Sequence, residues 1–115
     1  MTKTPNLIDN SRPLDLICMG RVAVDFYAEQ VHSPLEDAQS FRKYLGGCAG
    51  NTAVGTARLG LKSAMFSCVG TDDMGVYLRN TLAKEGVDTS LLRSTAKHLT
   101  ALVLLGVNPP ERFPL

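Results

Sequence analysis

The sequence predicts an α/β protein built on a parallel sheet, and two observations carry this prediction. Short apolar runs of strand length alternate with longer amphipathic runs of helix length, and glycines mark the boundaries between them. Strand, helix, strand, helix, strand is the order of a parallel sheet whose crossovers are helices. Two further segments near the start predict a small antiparallel flap beside that sheet.

Length and charge exclude several classes of protein. The chain has 115 residues, a formal net charge of +1 and 44% hydrophobic residues, which suits a single domain. A balanced charge gives no footprint for nucleic acid or for an anionic membrane. The apolar runs are too short to cross a bilayer, and the polar start lacks the pattern of a signal peptide. We therefore expect a cytoplasmic protein with neither a nucleic-acid nor a membrane partner.

The first strand of the sheet follows a polar start. Residues 1–13 contain Pro5 and Pro13 and predict a flexible tail, so the ordered domain is expected over residues 14–115. Residues 14–19 are apolar and end at Gly20, which favours a buried strand of a parallel sheet.

The flap is predicted from two segments. Residues 21–30 alternate in character, so that Asp25 and Tyr27 share one face of a strand and the apolar side chains between them share the other. Residues 39–45 follow a turn-like segment and predict a second strand that returns beside the first.

Helices and strands then alternate to the end of the chain. Small residues at a four-residue spacing predict a helix over residues 48–59 that lies close to the sheet, with Gly60 as its cap. A second helix is predicted over residues 71–86. The remaining predicted elements are strands over residues 62–70 and 98–107, a turn at Pro109 and Pro110, and an extended run over residues 112–115.

Two features that suggest metal or redox chemistry have plainer explanations. Asp72 and Asp73 stand together at the start of the second helix, where capping explains them better than a metal site or an acid–base pair. Cys18, Cys48 and Cys68 are widely spaced and lack a paired motif, so we expect buried free thiols.

The run GGCAGN, residues 46–51, is the candidate functional motif. The chain lacks the glycine spacing of a dinucleotide-binding turn, and Thr56 and Ala57 stand where a phosphate loop requires Lys and Ser or Thr. A third interpretation is a small polyhydroxylated ligand, bound by backbone N–H groups of the turn and by Asn51 at a helix start. A plain strand-to-helix turn is the alternative, and the residues by themselves leave both open.

Three charged residues of the flap are candidates for the same site. Asp25 can accept hydrogen bonds from ligand hydroxyls beside Asn51 if its strand and the glycine turn meet at one edge of the sheet. Arg42 and Lys43, on the second flap strand, can neutralise an acidic ligand. Solvation at the surface is the competing interpretation for each of these side chains.

The run GGCAGNTAVGTARLGLKSAMFSCVG, residues 46–70, resembles the first signature of the ribokinase-like (PfkB) sugar kinases. Its two leading glycines, its asparagine and its later glycines occur at the spacing of that signature, and GTDDMG and EGVDTS resemble the segments that follow it. The resemblance covers everything after the tail and is strongest to sugar-acid kinases of inositol breakdown. It implies an α/β sandwich with a small β lid, whose strands are residues 21–30 and 39–45.

The resemblance also implies an activity and a binding site. Family members transfer the γ-phosphoryl group of ATP to a sugar hydroxyl with Mg2+, and their lids often form a homodimer. Carried over by position, Asp25, Gly47 and Asn51 contact the sugar, and Gly46 shapes the turn.

The family's catalytic Asp base and most of its ATP site belong to a second signature, which these 115 residues do not contain. The resemblance therefore implies the N-terminal, lid-bearing part of a kinase, a fold incomplete at its C-terminus, with the catalytic base expected beyond Leu115. We expect the chain by itself to be inactive. Lys43 or Arg42 is our own candidate for binding the carboxylate of a sugar acid. A non-catalytic module that binds a sugar or pairs through its lid is the alternative.

Overall fold

The computed structural model describes residues 9–108 and confirms the α/β class. Its strands form two separate three-stranded sheets, a body sheet and a lid sheet. In chain order the elements are β1 (Leu16–Met19), β2 (Ala23–Ala28), a 3-10 turn (Leu35–Asp37), β3 (Phe41–Gly46), α1 (Cys48–Arg58), β4 (Ser63–Gly70), α2 (Asp73–Lys84), β5 (Leu92–Thr95) and β6 (Leu102–Leu105).

The body sheet is parallel and has the strand order β1-β4-β5. Ala53 of α1 and Leu78 and Leu82 of α2 are fully buried, and they join Met65 of β4 in one hydrophobic core. The close approach of α1 to the sheet, predicted from its small residues, is confirmed. A Cβ added at Gly20 would lie 3.1 Å from the Cβ of Ala49.

The lid sheet has the strand order β3-β2-β6. Strand β2 pairs antiparallel with β3, which confirms the predicted flap, and pairs parallel with β6 on its other side. The predicted alternation along β2 also holds, since Val24 and Phe26 pack against the core while Tyr27 is exposed. The lid therefore packs against the body through one face of its central strand, β2.

Two strand assignments made from the sequence are corrected. The strand β5 was not predicted, because its four residues, LRST, are mostly polar and show no apolar run. The apolar segment over residues 98–107 was predicted as the third strand of the parallel sheet, but its strand β6 belongs to the lid and pairs with β2. An apolar run predicts a strand without indicating which sheet receives it.

Most of the two terminal segments predicted from the sequence lies outside the described residues. Residues 1–8 and the segment 109–115, with its expected turn and extended run, lie outside the described residues. Residues 9–12 form a turn in which the Arg12 backbone N–H donates to the Asp9 carbonyl at 3.2 Å. The Lys62 ammonium donates to the Asn10 carbonyl at 3.2 Å, which joins this turn to the start of β4.

The cysteines are free, as expected, but only Cys18 is buried. Cys48 is exposed because it is the first residue of α1, and Cys68 is exposed because it lies on the face of β4 that turns away from the core. Among residues 9–108, neither helix has the length or the apolar character required to span a bilayer.

A hydrogen-bonded junction at Asp72 joins the body to the lid. Its carboxylate caps α2 by accepting from the backbone N–H groups of Met74 and Gly75, each at 3.0 Å, which confirms the predicted capping role. The second carboxylate oxygen accepts from the Thr100 backbone N–H at 2.8 Å and from the Thr100 hydroxyl at 3.0 Å. That hydroxyl accepts in turn from the Gly70 N–H at 2.9 Å. One carboxylate thus connects the end of β4, the start of α2 and the segment that leads into β6.

The hydrogen bonds from Thr100, Gly75 and Met74 lower the pKa of Asp72 below its usual value. A carboxylate whose pKa is depressed in the folded state stabilises the fold fully above its unfolded pKa, and this contribution is lost as the pH falls through the folded pKa. We therefore expect Asp72→Ala to lower the thermal midpoint at pH 7, and the gap from wild type to narrow once the pH falls below about 4. Thermal unfolding followed by circular dichroism between pH 3 and pH 7 measures this gap.

The neighbouring variant Asp73→Ala is the control, because the Asp73 carboxylate accepts no hydrogen bond from the part of the chain that the structure describes. A gap between Asp72→Ala and wild type that stays constant from pH 7 to pH 3 would contradict the role given to the Asp72 carboxylate.

Candidate functional site

The candidate site begins where β3 passes into α1 through Gly46 and Gly47. Gly47 is the N-cap of α1 and has φ 90°, a conformation that residues with a side chain rarely adopt. A Cβ at this position would also lie 2.4 Å from the Arg21 carbonyl oxygen. Backbone conformation and close backbone approach both require glycine at Gly47, so the turn is set by the sequence itself.

Gly46 is required for a different reason. It ends β3 opposite Ala23, and a Cβ added there would lie 2.0 Å from a carboxylate oxygen of Asp25. The Asp25 carboxylate therefore occupies the space that a side chain at Gly46 would fill. The glycine pair sets the path of the main chain and the position of the acidic group beside it.

Asn51 enters the site from the first turn of α1. Its backbone N–H donates to the Gly47 carbonyl at 2.8 Å, while its side chain is exposed and makes no hydrogen bond within residues 9–108. The helix lies close to the start of β2, since a Cβ at Gly50 would come within 2.9 Å of a methyl group of Val22, the residue before that strand. The Asn51 amide is therefore free to donate to and accept from a ligand.

Strands β2 and β3 and helix α1 border a pocket of about 430 Å³ that is open to solvent. Its volume is in the range of small-molecule sites. The residues that line it are Asp25, Tyr27, Tyr44, Leu45 and Asn51. A carboxylate and an amide therefore face the same space, as the sequence analysis proposed, with two aromatic rings beside them.

Burial raises the pKa of the Asp25 carboxyl group, and the positive charge of Arg21 partly opposes this shift. Within the described residues, no hydrogen bond reaches the Asp25 carboxylate. A partly buried carboxylate that accepts no hydrogen bond from the protein is stabilised by a ligand that donates hydrogen bonds to it. Hydroxyl groups of a polyol are donors of this kind.

The structure separates the two basic residues that were proposed from the sequence. Lys43 pairs with Phe26 in the lid register, and its ammonium lies 4.5 Å from the ring centroid of Tyr77 on α2. Arg42 pairs with Tyr27, and this puts it on the face of the lid that carries Asp25. Neither side chain lines the pocket, and Lys43 is held on the opposite face of β3.

Sequence reasoning missed two residues of the pocket, Tyr44 and Leu45, and gave no role to Tyr27. The alternation along β2 already placed Tyr27 on the face of Asp25, so that signal was present. Tyr44 needed the antiparallel register, in which it lies directly opposite Asp25. That register cannot be read from composition or spacing.

Comparison with known families decides what kind of protein carries this pocket. Residues 14–113 match the family model described as pfkB family carbohydrate kinase. The chain belongs to the pfkB family. The resemblance of its glycine signature to this family is thereby confirmed, and the candidate site is that signature together with the first strands of the lid.

Curated relatives in this family carry a more specific name. The chain is 48% identical over 82 residues to a 5-dehydro-2-deoxygluconokinase from Clostridium tetani, and 36% identical over 103 residues to one from Geobacillus kaustophilus. These alignments cover 71% and 89% of the chain but only 24% and 31% of the relatives. The chain thus spans about a quarter to a third of the length of these relatives.

Solved pfkB structures confirm the fold. An uncharacterized sugar kinase from Pyrococcus horikoshii superposes with a TM-score of 0.80 at 34% identity, covering 85% of this chain and 33% of that one. A PfkB protein from Polaromonas gives a TM-score of 0.80 at 36% identity, covering 87% of this chain and 35% of that one. The body sheet and the lid are therefore the arrangement of a sugar kinase of this family.

The contact between Gly46 and Asp25 can be tested by a double-mutant cycle. We expect Gly46→Ala to cost about 1–3 kcal/mol of unfolding free energy, because the new methyl group overlaps the Asp25 carboxylate. In an Asp25→Ala background the same substitution is expected to cost clearly less, since the overlapping atoms are gone. Denaturant unfolding of the four proteins measures the coupling.

Gly55→Ala is the matched control for that cycle. A Cβ at Gly55 meets nothing within 4 Å, and the residue lies inside α1. This substitution is expected to stabilise the chain by about 0.5–1 kcal/mol, because glycine is a poor helix former. Equal costs of Gly46→Ala with and without Asp25 would show that the carboxylate is not where the structure places it.

Proposed function

We propose that the gene product containing this chain transfers the γ-phosphoryl group of ATP to a hydroxyl of the sugar acid 5-dehydro-2-deoxygluconate, a reaction of inositol breakdown. The observation that carries the proposal is the pairing of Asp25 and Asn51 across one pocket, each with hydrogen-bonding capacity that residues 9–108 do not use. Family membership supports a carbohydrate kinase, and the names of the relatives support this sugar acid.

In this proposal the described residues bind and orient the acceptor sugar. The Asp25 carboxylate accepts hydrogen bonds from sugar hydroxyls, and the Asn51 amide donates to one oxygen and accepts from another. Gly46 and Gly47 set the turn from β3 into α1 that brings Asn51 to the pocket lined by Asp25. Correct positioning is a large part of catalysis in phosphoryl transfer, and a lid that excludes water protects the transferred group from hydrolysis.

ATP and Mg2+ belong to the proposal for the complete kinase. A sugar kinase structure similar to this chain, from Pyrococcus horikoshii, is a complex with ATP. Within residues 9–108, the glycine turn lacks the lysine of a phosphate loop, and no group of three His, Cys, Asp or Glu side chains is arranged to hold a metal ion. The described residues do not fit either group, so we assign them no step that involves the nucleotide or the metal.

Recognition of the sugar-acid carboxylate is proposed for Arg42 rather than Lys43. The guanidinium of Arg42 has no ion-pair partner in the described part of the chain, and the residue lies on the face of the lid that carries Asp25. A guanidinium can bind a carboxylate through two parallel hydrogen bonds. Lys43 is held over the Tyr77 ring and faces away from the pocket.

We also propose that two copies of the chain pair through their lids. Leu102 and Leu104 of β6 lie on the face of the lid that carries Val24 and Phe26, at the edge opposite β3, and they are 52% and 48% exposed. Strand β3 is an edge of the lid sheet, with backbone groups available for further pairing. This arrangement supports pairing through the lid, both for a dimeric kinase and for the dimerising module that is the alternative to catalysis.

The dimer can be tested by light scattering coupled to size exclusion. We expect the wild-type chain to have twice the mass of its monomer and the double variant Leu102→Ser, Leu104→Ser to have the mass of the monomer, since the apolar surface is lost. Val76→Ser, which changes an exposed apolar residue of α2 outside the lid, is the control. A monomeric wild-type chain at high micromolar concentration would overturn the lid pairing.

The kinase can be tested by coupled ADP release from the gene product containing this chain, with ATP, Mg2+ and a panel of sugars that includes 5-dehydro-2-deoxygluconate. We expect turnover on the sugar acid, and a fall of about ten- to a hundredfold in kcat/KM on Asp25→Asn or Asn51→Ala, because each change removes hydrogen bonds to the sugar.

Matched controls separate the pocket from the rest of the surface. Asp73→Asn and Asn80→Ala change the same residue types on exposed positions of α2 and are expected to leave kcat/KM unchanged. A folded gene product that releases no ADP with any sugar of the panel would refute the kinase and favour a binding module. Turnover unaffected by Asp25→Asn and Asn51→Ala would refute the site.

A further inference from the structure

The pocket of the candidate site is built from two parts of the fold. Asp25, Tyr27, Tyr44 and Leu45 belong to the lid strands β2 and β3, whereas Asn51 belongs to α1 of the body. The width of the pocket therefore depends on how far β3 lies from the helices of the body. A contact that fixes this distance also fixes how well a ligand fits between the two parts.

Side-chain packing fixes that distance only in part, because a second cavity borders the same strand. This cavity has a volume of about 400 Å³, and its lining residues come from β3, α1 and α2. Tyr44, Leu45 and Asn51 line it as well as the candidate pocket. Strand β3 thus has open space, and not only packed side chains, between it and the two helices.

The Lys43 ammonium makes a charged contact from β3 to α2. It lies 4.5 Å from the centroid of the Tyr77 ring, within the range of a cation–π interaction. Over residues 9–108, no hydrogen bond or ion pair joins β3 to α2. The contact between Lys43 and Tyr77 is therefore the electrostatic link between this strand and this helix.

Two features make Tyr77 a stable partner for Lys43. The Tyr77 side chain packs against the hydrophobic core, and its carbonyl accepts a hydrogen bond from the Thr81 hydroxyl at 2.7 Å. Glu85 lines the same cavity, but its two carboxylate oxygens accept from two guanidinium nitrogens of Arg58, at 2.6 and 2.7 Å. The acidic group of the cavity is thus already paired, and the ring remains the partner of the ammonium.

On the lid side, Lys43 is connected to the pocket through its own strand. It pairs with Phe26, which packs against the core, while its neighbour Tyr44 pairs with Asp25 and lines the pocket. Successive residues of a strand point to opposite faces, so Lys43 reaches the body while Tyr44 faces the pocket. Strand β3 is an edge strand, held by β2 on one side only. A restraint on Lys43 therefore restrains Tyr44 and Leu45 as well.

We infer that the contact between Lys43 and Tyr77 is a positioning element of the candidate site, which holds β3 against the body and thereby sets the affinity for the sugar. The inference rests on the proposed function for the identity of the ligand. Lys43 acts here through β3 and not by binding the carboxylate of the sugar acid. A single cation–π contact is weak, so its loss is expected to weaken binding by about three- to tenfold.

Steady-state kinetics of the gene product containing this chain, with ATP, Mg2+ and 5-dehydro-2-deoxygluconate, tests the inference. We expect Lys43→Met and Tyr77→Leu each to raise KM for the sugar about three- to tenfold and to leave kcat within about twofold, because neither side chain lines the pocket. The double variant is expected to raise KM no further than the single variants do, since both remove the same contact. A variant that is only partly folded shows the opposite pattern, a lower kcat at an unchanged KM.

Conservative variants and matched controls accompany these measurements. Lys43→Arg keeps a cation over the ring and Tyr77→Phe keeps the ring, so both are expected to retain the wild-type KM within about twofold. Lys97→Met and Phe66→Leu change the same kinds of residue at exposed positions outside the lid and α2. These two substitutions are expected to leave KM unchanged.

Hydrogen exchange followed by mass spectrometry measures the restraint on β3 without a ligand. We expect Phe41–Gly46 to exchange about three- to tenfold faster in Lys43→Met and in Tyr77→Leu than in wild type, because an edge strand that loses a restraint opens more often. Ser63–Gly70 of the body sheet is expected to exchange at the wild-type rate in both variants.

The outcomes separate this inference from the proposed function. Unchanged exchange of β3, or an unchanged KM, in both Lys43→Met and Tyr77→Leu overturns the inference and leaves the kinase standing. A raised KM in Lys43→Met alone overturns it too and assigns Lys43 to direct binding of the carboxylate. A gene product that releases no ADP refutes the kinase, and isothermal titration calorimetry with the sugar acid then decides the inference: weaker binding by both variants supports it, and equal or absent binding overturns it.

Discussion

The contact between the Asp25 carboxylate and Gly46 is the constraint on which the site depends. Because the carboxylate fills the space beside Gly46, β3 must end in a residue without a side chain. Gly47 then turns the chain tightly past the Arg21 carbonyl, and α1 begins at once with Asn51 in its first turn. Because Gly46 has no side chain, the Asp25 carboxylate of β2 and the Asn51 amide of α1 can line the same pocket. The pocket is a consequence of how closely β2, β3 and α1 approach one another.

The lid is joined to the body at several points of different chemical character. Val24 and Phe26 anchor it by burial against the core, and the Asp72 carboxylate anchors it through hydrogen bonds to Thr100. The Lys43 ammonium adds a cation–π contact with α2. Burial of apolar surface is insensitive to pH, whereas the contribution of a carboxylate is not. The segment entering β6 therefore depends on charge in a way that β2 does not.

Much of the fold was accessible from the sequence, because local patterns dictate it. The periodicity of α1 and α2, the alternation along β2 and the capping by Asp72 are all short-range signals, and the structure confirms them. The features that were not predicted, strands β5 and β6, depend on pairing between residues far apart in the sequence. The short polar strand β5 is held by its neighbour β4, and the apolar strand β6 was assigned to the wrong sheet.

The same distinction applies to the site. Asp25, Gly46, Gly47 and Asn51 are recognisable because their residue types are unusual where they stand, and the structure brings them together. Tyr44 looked like an ordinary strand residue until the register placed it opposite Asp25.

The pairing of β2 with β6 has a consequence for synthesis of the chain. The hairpin of β2 and β3 leaves the ribosome long before β6, so the outer edge of β2 emerges with unpaired backbone groups while the body is being translated. During that interval the nascent lid is a surface for chaperones or for mispairing with another chain.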